Sequence, residues 1–129
     1  AFKALDKAMM DKVGTAYISY MAEKVKYYEQ QSLKLFGRPI AHTLLIHENL
    51  LNSYYLGALL DAYQGIGYSF VSLADALKDD AYTTPDHFVG NAGISWMDRW
   101  AVTQGKKGDF FKGEPRCPQF VLDYSGLSE

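Results

Sequence analysis

Residues 43–52 read TLLIHENLLN, an apolar run that ends on a histidine, a carboxylate and two asparagines. The four β-branched or aliphatic residues Thr43–Ile46 predict a short strand buried on both faces, which is typical of a parallel sheet. His47 would then stand at the carboxyl end of this strand, where α/β folds place ligands and catalytic groups. Position alone makes His47 the first candidate for chemistry.

Length and composition limit the classes of protein to which the chain can belong. With 129 residues it forms one domain at most. Its formal net charge of −2 gives no reason to expect nucleic acid or an anionic membrane as a partner. The apolar runs are too short for a membrane span, and Cys117 is the single cysteine, so no internal disulfide is expected.

The region Phe2–Phe36 contains no proline and carries apolar residues near helical spacing. It predicts one long amphipathic helix, or two helices joined near Gly14. Gly37 suits the left-handed position just past a helix end, and Pro39 prevents the helix from resuming. Four tyrosines of this helix suit either packing or stacking on a sugar ring: Tyr17, Tyr20, Tyr27 and Tyr28.

A second helix and a second strand are predicted after the first strand. Leucines and Tyr63 at helical spacing predict a helix over Ser53–Gln64, with Asn52 or Ser53 as its N-cap. Residues 65–67 (GIG) stop it, and Tyr68–Leu73 is predicted as a strand. Strand, helix and strand with short connections form a βαβ unit, so the two strands are expected to be parallel with a right-handed crossover.

The rest of the chain is predicted to be short helices and coil. In chain order we expect a capped helix at Ala74–Lys78, a loop at Ala81–Gly93, a helix at Ile94–Ala101, coil at Thr103–Pro118 and an extended segment at Gln119–Tyr124. Residues 103–129 would thus be a mostly coil tail. Two parallel strands alone are not stable, which predicts that 1–129 is a single incomplete domain whose other strands lie upstream or in another copy.

His47 is the best candidate for proton transfer, because imidazole titrates near neutrality. The alternative is a histidine that only hydrogen-bonds a strand end. His42 would point to the opposite face of the strand, and no metal-ligand spacing is present, so we expect no metal site built from this chain alone. Glu48 and Asn49 are interpreted as turn and capping residues. Asp75 is interpreted as a cap, and residues 79–80 as a solvated turn.

Several segments, in the order in which they follow one another along the chain, resemble the carboxyl-terminal part of polysaccharide deacetylases with a NodB-type domain. They are residues 43–47 (TLLIH), 49–52 (NLLN), 70–77 (FVSLADAL), 79–82 (DDAY), 85–86 (PD), 93–96 (GISW) and 99–101 (RWA). The tyrosine-rich helix that leads to Gly37 and Arg38 and the helix that leads to Gly67 and Tyr68 belong to the same resemblance. The similarity covers roughly residues 16–106 and points to one bacterial branch. Thr43 departs from the aliphatic residue usual at that place in the family.

The resemblance implies the carboxyl-terminal part of an irregular (β/α) barrel and metal-dependent removal of acetyl groups from N-acetylated or O-acetylated sugars. It implies that Leu45 lines the pocket for the acetyl methyl and that His47 is the general acid toward the leaving amine. The implied cofactor is a divalent metal ion, with zinc favoured. The family's metal-binding residues have no counterpart in this chain, so the chain alone is expected to be inactive.

Two other functions stay open from the sequence. One is a non-catalytic interaction module that self-associates through exposed strand edges, as a homo-oligomer or by pairing with the missing part of the barrel. The other is a degenerate deacetylase homologue that only binds glycans. Secreted, periplasmic and cytoplasmic locations are all compatible with the sequence, because the chain does not begin with methionine.

Overall fold

The computed structural model describes residues 6–91 and 93–127. Within these ranges the chain forms five α-helices and two short 3-10 helices, and no β-strand. The α-helices are α1 (Lys7–Phe36), α2 (Leu50–Gly65), α3 (Leu73–Ala76), α4 (Trp96–Thr103) and α5 (Gln119–Ser125). The 3-10 helices cover Asp80–Thr83 and Gly108–Phe111.

The long amino-terminal helix is confirmed as one continuous element, since α1 runs through Gly14 without a break. Asp6 precedes it and accepts a hydrogen bond from the Ala8 amide through its side chain (3.0 Å). Gly37 ends it with a φ of 68°, as the sequence predicts, and its amide donates to the Leu33 carbonyl. The predicted helical residues 2–5 lie outside the described part of the chain.

The predicted strands are wrong, and with them the α/β fold class, the parallel βαβ unit and the (β/α) barrel. Thr43–Ile46 and Tyr68–Ser72 have no regular secondary structure, and Leu73 already belongs to α3. Leu45 is 86% exposed and Val71 is 62% exposed, whereas strands buried on both faces would hide such side chains. A strand is stable only when its N–H and C=O groups pair with another strand, and a local apolar run does not specify that partner.

The remaining helices agree with the sequence in part. The helix predicted at Ser53–Gln64 is present as α2, and Ile66 and Gly67 follow its end as expected. The capped helix expected at Ala74–Lys78 is present as α3, and its cap is Ser72, whose hydroxyl accepts from the Asp75 amide. The helix expected at Ile94–Ala101 is shifted to α4. The predicted extended segment Gln119–Tyr124 is wrong, because it forms α5.

Cα proximity divides the chain into two compact units. The first comprises the described residues up to 25, residues 45–69 and the described residues from 115 onward. Its core lies between α1 and α2: Leu59 is fully buried, and Tyr63 donates from its hydroxyl to the Met21 carbonyl (3.2 Å). In the same unit the Lys12 ammonium lies 4.3 Å from the centre of the Phe120 ring of α5.

The second unit comprises residues 26–44 and 70–114. Its core is the indole of Trp100 in α4, which meets the rings of Phe36 and Tyr82 edge to face at 5.5 Å each. Ile40, Ala81 and Met97 complete the buried cluster. Aromatic pairs in this geometry contribute about 0.5–1.5 kcal/mol beyond the area they bury.

A membrane span was not expected from the sequence. In the described ranges, none of the helices combines the length and the apolar character needed to cross a bilayer.

Candidate functional site

The candidate site is the segment that leads into α2, in the first unit. Asn49 is the N-cap of α2: its backbone is extended, with φ −151° and ψ 169°, and its side-chain oxygen accepts from the Asn52 amide (2.9 Å). This bond satisfies one of the amides that a helix leaves free at its amino end. His47 therefore stands two residues before the cap of a well-formed helix.

The main chain of His47 is held by a second interaction. The Asn52 side chain donates from Nδ2 to the His47 carbonyl oxygen (2.7 Å). Its other end, Oδ1, accepts from the Tyr17 hydroxyl (2.6 Å). Burial raises the pKa of Tyr17. A tyrosine hydroxyl is protonated at neutral pH even without this shift, so it can donate the bond. The result is a chain of hydrogen bonds from α1 through α2 to the backbone of His47.

Within residues 43–49, one side chain is half-buried and the others are exposed. Leu45 and His47 are exposed, and Ile46 between them is half-buried. Ile46 thus contributes to the packing of the segment, while the leucine and the imidazole stay accessible to a ligand. The two residues implied by the resemblance are therefore both on the surface of the same short segment.

The roles predicted for the neighbouring residues are resolved by the contacts. Asn49 is a capping residue, as expected, and the predicted caps Asn52 and Ser53 are wrong, because they lie inside α2. Sequence reasoning missed the Tyr17 to Asn52 contact. The spacing of two asparagines three apart at a helix start was a signal for the cap, but nothing in the sequence pairs Asn52 with Tyr17.

The described residues do not fit a divalent metal. No group of three or more His, Cys, Asp or Glu side chains that could hold an ion occurs among them. His42, which belongs to the second unit, is half-buried, and its Nε2 lacks a hydrogen-bond partner among the described residues. Burial lowers the pKa of His42 and so favours its neutral form. Within the described ranges, then, neither His42 nor His47 belongs to a set of metal ligands.

A concavity of the first unit lies elsewhere. It is lined by Lys7, Met10, Asp11, Tyr54 and Tyr55. Lys7 and Asp11 pair with each other across 2.8 Å, and both are largely exposed. Neither Leu45 nor His47 is among the residues that line it.

Comparison of the chain with protein families, curated proteins and solved structures gave no match. The functional interpretation consequently depends on the residues and their contacts.

Proposed function

We propose that this chain is part of a metal-dependent polysaccharide deacetylase, in which His47 donates the proton that the leaving amine requires. The observation that supports this most is the combination at one helix start: an exposed imidazole, an exposed leucine two residues before it, and a backbone fixed by Asn52. The order of segments that resembles the deacetylases also supports it. Any metal ion is held by residues other than the described ones.

The reaction is hydrolysis of the amide that joins an acetyl group to a sugar amine. Water adds to the acetyl carbonyl and gives one proton to a general base outside the described residues. The C–N bond then breaks, and its electron pair goes to nitrogen. An amine leaves poorly as an anion, so a proton must reach the nitrogen as the bond breaks. The imidazolium of His47 supplies that proton, and general acids of this kind contribute about 10²–10⁴-fold to the rate.

Leu45 supports the specificity of this reaction. A leucine that is 86% exposed offers an apolar surface that the described residues leave largely uncovered. The methyl of an acetyl group is small and apolar, so contact with Leu45 removes both from water. The acetyl group would thus lie against Leu45 while the leaving nitrogen faces His47.

The test is acetate release from an N-acetylglucosamine tetramer by the product of the complete open reading frame that contains this sequence. We expect His47→Ala to lower the rate by about 10²–10⁴-fold without loss of helicity. His87→Ala is the matched control, because His87 is also an exposed histidine but lies in the second unit, and it should keep the wild-type rate. Full activity in His47→Ala, or none in the wild type, would contradict the proposal.

A second candidate function is a non-catalytic module that associates with another copy of the chain. The expected contact through strand edges is wrong, because the described residues form no strand. This candidate function is favoured by large apolar side chains at the surface of the second unit, namely Val71 (62% exposed), Leu73 (63%) and Val89 (95%). Scattered exposed apolar residues are common, but Val71 and Leu73 belong to one segment, residues 68–73.

The molar mass of the purified chain in solution separates the two functions. Self-association predicts a mass that rises with concentration toward a dimer and returns to the monomer on Val71→Lys. A monomer at all concentrations would contradict the interaction module and leave the deacetylase role unaffected.

A further inference from the structure

We infer that Asn52 and Tyr17 form a positioning pair that fixes the direction of His47 by holding its carbonyl oxygen. This inference deepens the proposed function and rests on it for its catalytic consequence. The hydrogen bonds that carry it lie wholly within the first unit, since Tyr17, His47 and Asn52 all belong to that unit.

The chemistry of the three groups allows one orientation of the Asn52 amide. The His47 carbonyl can only accept a hydrogen bond, so it requires the NH₂ end of the amide. The amide oxygen then faces Tyr17, whose hydroxyl donates across 2.6 Å. Reversal of the amide would place two oxygens against each other at His47. Both hydrogen bonds of the asparagine are therefore specified by its neighbours.

The positioning role of Asn52 also requires that α2 forms without help from the Asn52 side chain. The cap of α2 uses the Asn52 backbone amide, which donates to the Asn49 side chain, and not the Asn52 side chain. Alanine at position 52 would keep that amide and is a better helix former than asparagine. Loss of the Asn52 side chain should consequently free the His47 backbone while α2 stays formed.

A catalytic acid must be held in place to be effective, because a displacement of about 1 Å can cost about 10²-fold in rate. The His47 side chain is exposed, so its position depends on how firmly its main chain is held. The hydrogen bond from Asn52 therefore fixes the position of the His47 main chain, from which the imidazole projects. Tyr17 acts one step further away, by keeping the Asn52 side chain in the rotamer that reaches His47.

The first test measures order directly in the purified chain and does not depend on activity. The amide order parameter of His47, from ¹⁵N relaxation, should be near the rigid value of about 0.85 in the wild type and fall toward about 0.6 in Asn52→Ala. Asn52→Asp should give the same fall, because it keeps an acceptor for Tyr17 but has no donor for the carbonyl. Tyr17→Phe should give a smaller one.

The matched controls are Ser53→Ala, one residue further along α2, and Tyr20→Phe, a tyrosine of the same helix whose ring contacts the Lys24 ammonium. Both should leave the order of His47 unchanged. An unchanged order parameter in Asn52→Ala would overturn the positioning pair, whatever the protein is found to catalyse.

The second test uses acetate release by the product of the complete reading frame. Asn52→Ala should lower kcat by about tenfold to hundredfold with little change in KM. In a His47→Ala background the same substitution should cost nothing further, because its effect acts through His47. An equal loss in both backgrounds would mean a merely structural role and would overturn the inference. No acetate release from the wild type would contradict the proposed function alone.

Discussion

Gly14 is the position in α1 against which a tyrosine of α2 packs. The Tyr55 ring lies against it, so that a Cβ at position 14 would fall 2.0 Å from the ring atom Cζ. The Tyr55 hydroxyl is held by the Met10 carbonyl (3.1 Å), which restricts the ring's escape from this position. Glycine is required here for space, since its backbone φ is not in the left-handed region.

Gly14→Ala is therefore expected to reverse the usual sign of a helical substitution. Alanine in place of glycine normally stabilises a helix interior by about 1 kcal/mol, but here the overlap with Tyr55 should give a net loss of about 1–3 kcal/mol. Gly57→Ala in α2 is the control, because nothing in the described part of the chain lies within 4 Å of its added Cβ, and it should stabilise. Chemical denaturation measures both, and a gain in Gly14→Ala would contradict the packing described.

Asp79 shows how a residue can be misjudged from sequence. The sequence suggests a solvated turn. In the structure the Asp79 carboxylate accepts hydrogen bonds from the two terminal nitrogens of the Arg38 guanidinium, at 2.6 and 3.0 Å, and one from the Ala41 amide (3.0 Å). The Arg38 guanidinium, with the Ala41 and Ala81 amides, holds the pKa of Asp79 far below its ordinary value. Residues about forty positions apart are joined in this way, which no local pattern signals.

This depressed pKa predicts a dependence of stability on pH. An aspartate whose pKa is lower in the folded chain stabilises the fold above the unfolded pKa of about 3.9, and this stabilisation is lost as pH falls below it. The free energy of unfolding of the wild type should fall between about pH 5 and pH 2, and that of Asp79→Asn should fall less over the same range. Parallel pH profiles would exclude Asp79 as a contributor.

At the amino end of α2 the N-cap observed is Asn49, whereas the sequence predicted Asn52 or Ser53. Asn49→Ala removes the observed cap and should cost about 0.5–2 kcal/mol, while Ser53→Ala should change stability by less than about 0.5 kcal/mol. Urea titration followed by circular dichroism gives both values. A larger loss from Ser53→Ala would return the helix start to the position that the sequence suggested.

The elements differ in how far sequence could predict them. Helices were located because their signals are local: Ser72 accepts from the amide three residues on, and Gly37 ends α1 in the left-handed conformation. The two strands were wrong because pairing depends on distant chain. The α5 helix was missed although Pro118 and Gly126 bracket it, a start and stop combination that the sequence contained.

At the scale of the whole molecule, sequence could predict only those candidate-site residues that lie close together along the chain. Leu45 and His47 come from one segment and were identified from residue order and a resemblance. Tyr17 and Asn52 are 35 residues apart, and their contact follows from how α1 and α2 pack. The fold class was wrong for the same reason, since it rested on strand pairing that residues 43–46 and 68–73 do not show.

The central claim is that His47 protonates a poor leaving group, and it is tested most directly by changing that group. The complete protein and its His47→Ala variant are compared on an N-acetylglucosamine oligomer and on 4-nitrophenyl acetate, whose phenolate leaves without protonation. We predict that His47→Ala loses about 10²–10⁴-fold on the amide and less than about threefold on the ester. Equal losses on the two substrates, or no loss on the amide, would contradict His47 as the general acid.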